Sequence, residues 1–479
     1  MPLETAYERA RITVRAGGRG RSLQFDRSGA SRGETMNNAE AKIYGLIGVG
    51  FGPSNLALAA ALHEQGPASL GTKGPTLFLE QKEEFAWHPG MMLPGARVQL
   101  SFLKDLVTLR NPCSRFSFLC YLQHKKRLDR FINRRTFFPT RQEFNDYYRW
   151  VAGELRDYVR YGARVRAIRP GRAGASGTVP LLEVELEDRA TGEWARLLTR
   201  NVVLALGGQP VLPPGVQLSP DGRVFHAQDF LEAVPARFPD RQAPHRFVVV
   251  GSGQTAAEVF QYLLHQYPQA TVTLAFRRLA LKPADDSHFV NEIFFPEMVD
   301  RFYGLSPARR RMLLAMHLDT NYSAVDTDLI AELYEELYEQ EVAGRQRGRI
   351  LNLCELLSLE EGPEGVTTRL RGGFEEQEQR LQSDAVILAT GFERCQRPAL
   401  LEELRPYLLL DETGAYRVLR NFRVDARPEL VPGVFLQGSN ERTHGLSDTL
   451  LSTLAVRSAE ILQAVATAEP AFAAALQEP

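Results

Sequence analysis

The stretch Ile43-Tyr-Gly-Leu-Ile-Gly-Val-Gly-Phe-Gly-Pro-Ser-Asn-Leu-Ala-Leu-Ala-Ala-Ala-Leu62 constrains the fold more than any other part of the chain. It reads as a short apolar strand, a glycine turn and an Ala/Leu-rich helix. Gly48 and Gly50 allow a tight turn and a close backbone approach to a pyrophosphate, whose charge the free N–H groups and the positive end of the helix dipole can hold. The third position of the G-x-G-x-x-G pattern is Pro53. Proline is tolerated in a first helical turn, where its missing N–H would have had no partner. A second strand, Thr76-Leu-Phe-Leu-Glu80, ends in an acid suited to a ribose, and the Gly/Pro-rich linker 66–75 accounts for its added distance from the glycines. A nucleotide site is the expectation here, against a plain strand-turn-helix connection.

A second unit of this kind begins at Phe247-Val-Val-Val-Gly-Ser-Gly-Gln-Thr-Ala-Ala-Glu-Val-Phe260, with Ala256 as the accepted substitute for the third glycine. Its following strand, Thr271–Phe276, ends in Arg277-Arg278 and not in an acid. A 2'-hydroxyl would be met by a carboxylate, whereas a 2'-phosphate is met by guanidinium, so NADPH is favoured over NADH, against an ordinary arginine pair at a strand end. Two dinucleotide units without a metal signature indicate a flavoprotein that takes reducing equivalents from a nicotinamide.

The expected fold class is α/β, with two Rossmann-like dinucleotide-binding domains, for FAD and NADPH, and a smaller, mainly helical substrate-binding insert. Residues 41–215 are assigned to the first part of the FAD domain and 216–285 to the first part of the NADPH domain. Residues 286–348 form the insert, 349–382 the return strands of the NADPH domain, and 383–479 the second part of the FAD domain. The strand signal Asp384-Ala-Val-Ile-Leu-Ala-Thr-Gly-Phe392 is expected to bring the chain back to the first sheet. Residues 1–40 carry seven arginines, many glycines and serines, and no apolar period. They are expected to be disordered, with the working protein starting near Met36 and a transit peptide as the weaker alternative.

Composition narrows the function classes. A formal charge of −1 over 479 residues gives no global signal for nucleic acid or anionic membrane. No uninterrupted apolar run approaches the roughly 18 residues of a membrane span. Cys113, Cys120, Cys354 and Cys395 show neither Cys-x-x-Cys spacing nor a neighbouring histidine cluster, so no zinc site, no disulfide framework and no redox dithiol are indicated. Reduced thiols in a cytoplasm are the simplest reading. Between Phe85 and Pro112, polar residues including Trp87, His88, Gln99 and Lys104 interrupt apolar sequence, as a wall facing a cavity would require. Taken singly, Lys104 would be a solvated surface lysine, Gln99 an outward strand residue, and Trp87 and His88 core filler.

Several segments, in order from residue 43 to about 465, carry a family resemblance: Gly48-Val-Gly-Phe-Gly-Pro-Ser-Asn55, Ser101-Phe-Leu-Lys-Asp-Leu-Val-Thr-Leu-Arg-Asn-Pro112, Ala284-Asp-Asp-Ser287, Thr320-Asn-Tyr-Ser323, Ala389-Thr-Gly391 and Asn440-Glu-Arg-Thr-His-Gly-Leu-Ser-Asp448. With them the chain resembles the flavin-dependent N-hydroxylating monooxygenases of siderophore biosynthesis. Leu128-Asp-Arg-Phe-Ile-Asn133 and Phe137-Phe-Pro139 are closer to the ornithine branch than to the lysine branch.

The resemblance implies that Gln99 lies against the flavin and that Lys104 and Asn291 hold the substrate's α-carboxylate and α-amino group. Asn321 would line the same pocket, against substrate or nicotinamide ribose. Leu446 and Ser447 would sit where the flavin meets the amine, and Arg277 would contact the 2'-phosphate. The expected FAD set is thus Gly48, Gly50, Pro53, Ser54, Glu80, Trp87, His88, Gln99 and Leu446. The NADPH set is Gly251, Ser252, Gly253, Gln254, Arg277 and Asn321, and the substrate set Lys104, Asn291, Asn321 and Ser447. No acid, base or metal ligand is assigned.

The implied reaction is NADPH- and O₂-dependent hydroxylation of the side-chain amine of L-ornithine through a C4a-hydroperoxyflavin, with L-lysine or a diamine as the alternative substrate. That oxygen adduct must be shielded from water. The amine must also be neutral, yet at a pKa of about 10.4 only roughly 0.1% is neutral near pH ~7.4, so an apolar site that lowers the pKa would help. A homotetramer is the expectation that the resemblance adds.

Overall fold

The computed structural model of the chain describes residues 42–66, 74–174, 177–218, 222–374 and 377–475, without the side chains of 321 and 468–475. The expectation for residues 1–40 and most of the linker 66–75 lie outside the described residues.

Apolar runs of four or five residues build two five-stranded parallel sheets. The first has the order Gly433–Leu436, Asn201–Leu204, Leu46–Val49, Thr76–Leu79, Val159–Arg160. Gly433–Leu436, Asn201–Leu204 and Leu46–Val49 are buried along their whole length, as parallel strands covered on both faces must be. The helix Pro53–Gln65 crosses one face and is itself covered by the C-terminal helix Leu454–Ala475. With cover on both sides it has no polar face: Leu56 to Leu62 are at most 1% exposed.

The second sheet has the order Val224–His226, Ala385–Leu388, Arg246–Val250, Thr271–Ala275, Gly348–Leu351, again all parallel. The segment expected to return to the first sheet is therefore the second strand of this one, and the expected start of the final FAD-domain segment at 383 falls too early. A fully apolar four-residue run fits the interior of either sheet equally well, so its pattern carries no address. The chain returns to the first sheet only at Gly433–Leu436, beside Asn201–Leu204.

Two antiparallel sheets flank these layers. One joins Ala163–Pro170, Leu182–Asp188 and Trp194–Thr199. The other joins Cys354–Gly362, Gly365–Gly372 and Gln377–Ser383, so that of the span 349–382 only the end of Gly348–Leu351 enters the parallel sheet. The insert between Thr271–Ala275 and Gly348–Leu351 is helical, with Glu297–Tyr303, Pro307–Asn321 and Thr327–Val342. Pro307–Asn321 begins with Ser306 accepting from the Arg309 N–H and Pro307 at its first position, a start the sequence announces.

Candidate functional site

The two glycine turns are built alike. Gly50 has φ +82°, and a Cβ there would stand 2.5 Å from the Ala205 carbonyl oxygen, just past the neighbouring strand. Gly251 has φ +146°, and its Cβ would stand 2.3 Å from the carbonyl oxygen of Ala389, just past the corresponding strand of the second sheet. Only glycine fits either position. At Gly48 a Cβ would meet the Phe78 ring at 2.2 Å, so this glycine lets the second strand pack on the first.

Both turns feed helices whose first N–H groups receive no side-chain cap: Gly52 precedes Pro53, and Gly253 precedes Gln254. Space around Gly52 is open. An uncapped helix start behind a glycine turn is an anion cradle, and both fit the pyrophosphate of a dinucleotide.

Glu80 lies at the end of the second strand, buried, with Oε2 accepting from the Phe51 N–H at 2.7 Å and Oε1 from the Lys82 N–H at 3.0 Å. The carboxylate thus fixes the glycine turn and keeps lone pairs for a ribose hydroxyl. Ser54 accepts at 3.0 Å from Nη2 of Arg457, a fully enclosed guanidinium whose Nη1 pairs with Asp448 at 3.1 Å. Asn55, also buried, donates to the Gly50 carbonyl at 2.6 Å and accepts from Gln437 at 2.9 Å. Sequence reasoning missed Arg457, Gln437 and the part played by Asn55; the Gly-Pro-Ser-Asn run was the available signal for the last.

On the nicotinamide side, Ser252 is half-buried in the turn and Arg277 is exposed at the end of its strand. The neighbouring Arg278 is engaged elsewhere: its Nη2 meets Asp319 at 2.5 Å, and the other oxygen of Asp319 takes Lys282 at 2.5 Å. Those hydrogen bonds hold the Asp319 carboxyl below the usual range. The insert helix therefore claims the second arginine and not the first.

Lys104 is half-buried, and burial lowers its ammonium pKa. Among the described residues no carboxylate pairs with it. Asn291 sits in the one-turn helix Val290–Phe294 with its Nδ2 donating to the Asp286 carbonyl at 2.8 Å. This turn packs on Leu446–Thr449, in which Leu446 and Ser447 are buried. Asn291 is thus brought to the Leu446–Ser447 turn, whereas no hydrogen bond among the described residues joins Lys104 to either. The Asn321 side chain lies outside the described residues, but its neighbour Tyr322 reaches across to Glu441 and, at 3.0 Å, to Thr449.

Trp87 packs edge-on against Tyr148 at 5.3 Å and against His88 at 5.8 Å. His88 has a left-handed backbone (φ 45°) and touches Phe392. The residue keeps solvent access, yet desolvation by the surrounding protein and the nearby Arg394 push its imidazole down to about 4. Gln99 is exposed, yet its side chain has a partner: its Nε2 donates to Asp326 Oδ1 at 2.7 Å, and Asp326 Oδ2 takes Gln254 Nε2 at 3.0 Å. A residue expected beside the flavin and one expected beside the nicotinamide are therefore linked through the insert, a link that sequence reasoning did not anticipate.

The sequence profile of a family described as L-lysine 6-monooxygenase/L-ornithine 5-monooxygenase matches residues 42–394. An L-ornithine N(5)-monooxygenase of Emericella nidulans is 40% identical over 452 residues, covering 88% of this chain and 89% of that protein. Among solved structures, the ornithine hydroxylase PvdA from Pseudomonas aeruginosa superposes with a TM-score of 0.83 at 40% identity, covering 89% of this chain and 100% of that one. The Kutzneria sp. 744 ornithine N-hydroxylase KtzI, with reduced FAD, NADP⁺ and L-ornithine, gives a TM-score of 0.83 at 37% identity, covering 88% and 99%.

Proposed function

Because the chain belongs to the L-lysine 6-monooxygenase/L-ornithine 5-monooxygenase family, we propose that it converts L-ornithine to N5-hydroxy-L-ornithine with NADPH and O₂, supplying a hydroxamate precursor for siderophore assembly. The observation that carries the choice of substrate is Lys104, a desolvated ammonium with no carboxylate partner among the described residues. A half-buried cation without a counter-ion carries part of the cost of a buried one, and the α-carboxylate of an amino acid offsets that cost.

FAD, held by the Gly48–Ser54 turn and Glu80, supplies the oxygen activation, and NADPH, held by Gly251–Gln254 and Arg277, the reducing equivalents. The remaining work belongs to the chain. Lys104 and Asn291 anchor the zwitterionic head group so that the side-chain nitrogen points toward Leu446 and Ser447, with Asn321 on the same wall. Leu446 and the buried turn around it exclude water. They also favour the neutral amine, the form that can act as nucleophile. Trp87, His88 and Gln99 line the flavin side, and His88 stays uncharged at neutral pH. The four thiols are free, which suits the reducing cytoplasm included in this reading. Assembly as a homotetramer is a further part of it, measurable by light scattering.

L-Lysine differs by one methylene, worth only ~1 to 3 kcal/mol in a pocket. A diamine would leave Lys104 unpaired. Steady-state hydroxylation of ornithine, lysine and putrescine side by side tests this order. Ornithine is expected to give the highest kcat/KM and putrescine the lowest, whereas putrescine matching ornithine would remove the carboxylate anchor from the account.

A further inference from the structure

Asp326 occupies the N-cap position of the helix Thr327–Val342, where an aspartate ordinarily accepts from the helix's own first N–H groups. Here its side chain makes no cap hydrogen bond. Both oxygens are turned outward to other parts of the chain: Oδ1 accepts from Gln99 Nε2 at 2.7 Å and Oδ2 from Gln254 Nε2 at 3.0 Å. The Asp326 N–H donates back to Gln254 Oε1 at 2.8 Å, so the Gln254 amide is gripped at both ends.

The link continues beyond Gln254. Its Nε2 also reaches Glu258 Oε1 at 3.0 Å, and buried Glu258 holds Arg141 through two bonds of 2.9 and 3.0 Å. Arg141 donates in turn to the Met91 carbonyl at 2.9 Å. On the insert side, Ser323 takes a left-handed backbone (φ 55°), and its Cα stands 3.3 Å from where a Gly253 Cβ would be. The segment 323–326 is thus seated directly on the second glycine turn while it holds the loop of Gln99. Forgoing a cap costs a helix about 1 kcal/mol, and the only acid in the first turn of Thr327–Val342 is Asp328.

We propose that Asp326 is a positioning residue that gives up its helix cap to hold the Gln99 loop and the Gln254 helix start in fixed register, so that the nicotinamide and flavin sites face each other. The inference rests on the function proposed above, since only a chain that binds both dinucleotides needs that register. It adds a bridging carboxylate from the insert to the residues assigned to either cofactor.

The test separates bridging from capping. Asp326→Ser restores a cap-competent side chain that is too short to span both glutamines. In Asp326→Asn the carbonyl can still take the Gln254 hydrogen, and the NH₂ can meet Gln99 after that amide rotates. FAD-loaded proteins are compared by thermal unfolding, by calorimetric NADP⁺ affinity and by L-ornithine affinity. The Ser variant is expected to melt with the wild type and bind ornithine normally, yet to bind NADP⁺ about tenfold more weakly, the scale of one lost charge-assisted hydrogen bond. The Asn variant is expected to stay within about threefold of wild type. Wild-type NADP⁺ affinity in the Ser variant would overturn the proposal, as would an Asn variant that shares the full loss. Because NADP⁺ affinity is read without turnover, a wild-type protein that hydroxylates no amine would refute the proposed function and leave this comparison intact.

Discussion

Lys104 joins burial to chemistry in a single side chain. Removing it by Lys104→Ala should raise the ornithine Kd roughly 10- to 100-fold, the range of a lost charge-assisted contact in a desolvated site, while NADPH oxidation without ornithine persists. Titration calorimetry measures this, and an unchanged Kd would take Lys104 out of the site. Its pKa is lowered by desolvation, so the ammonium is lost, and ornithine binding weakens, at a lower pH than for a solvated lysine. Lys104→Arg cannot lose its charge in this range and should carry ornithine binding further into alkaline pH. For Arg277, which has no ion-pair partner among the described residues, replacement by Ala should raise KM for NADPH and leave KM for NADH nearly unchanged. Equal effects on both would undo the 2'-phosphate contact. The two arginines look equivalent in sequence; which one is free depends on Asp319, forty-one positions beyond Arg278 along the chain, and no local pattern reveals that.

Elements with strong local signals were legible, and their addresses were not. Both strand–glycine–helix units and the helix pair broken at Thr320–Ser323 follow from spacing and turn chemistry. The run Ala385–Leu388 was recognised as a strand and assigned to the wrong sheet. A clue was present: Val-Leu-Ala-Leu-Gly in 203–207 and Ile-Leu-Ala-Thr-Gly in 387–391 are near repeats, each centred on the alanine whose carbonyl closes on the glycine turn of its own sheet. That closeness gives an element-scale prediction. In Gly251→Ala the new methyl would strike the Ala389 carbonyl and strain the backbone, so NADP⁺ binding should be lost while the purified protein remains yellow. A Gly251→Ala variant with intact NADP⁺ affinity would contradict the closeness of this turn. The Asp326 bridge illustrates the remaining gap: 227 positions separate Gln99 from Asp326, and an aspartate before a helix reads as a cap.

At the scale of the whole molecule, buried polar groups tie the C-terminal segment to the first domain. Arg457 and Asp448 join the C-terminal helix to the first helix through Ser54. His444 stacks on Phe422 at 4.4 Å, and burial pushes it down to about 4. The unfolded chain protonates this histidine near pH ~6.5 and the folded chain does not, so its stabilising effect is intact above that pH and is lost as pH falls toward about 4. Urea titrations across that window should show the loss, up to about 3 kcal/mol from this group, and His444→Gln should reduce it, leaving the part due to His88. A wild-type stability that did not change over the window would contradict the burial of a neutral His444.

The central claim is tested most directly by the fate of molecular oxygen. FAD-loaded protein supplied with NADPH, ¹⁸O₂ and L-ornithine should yield an ornithine carrying one labelled oxygen on its side-chain nitrogen, seen by mass spectrometry with fragmentation. NADPH consumption that returns only labelled hydrogen peroxide, with ornithine recovered unchanged, would contradict it.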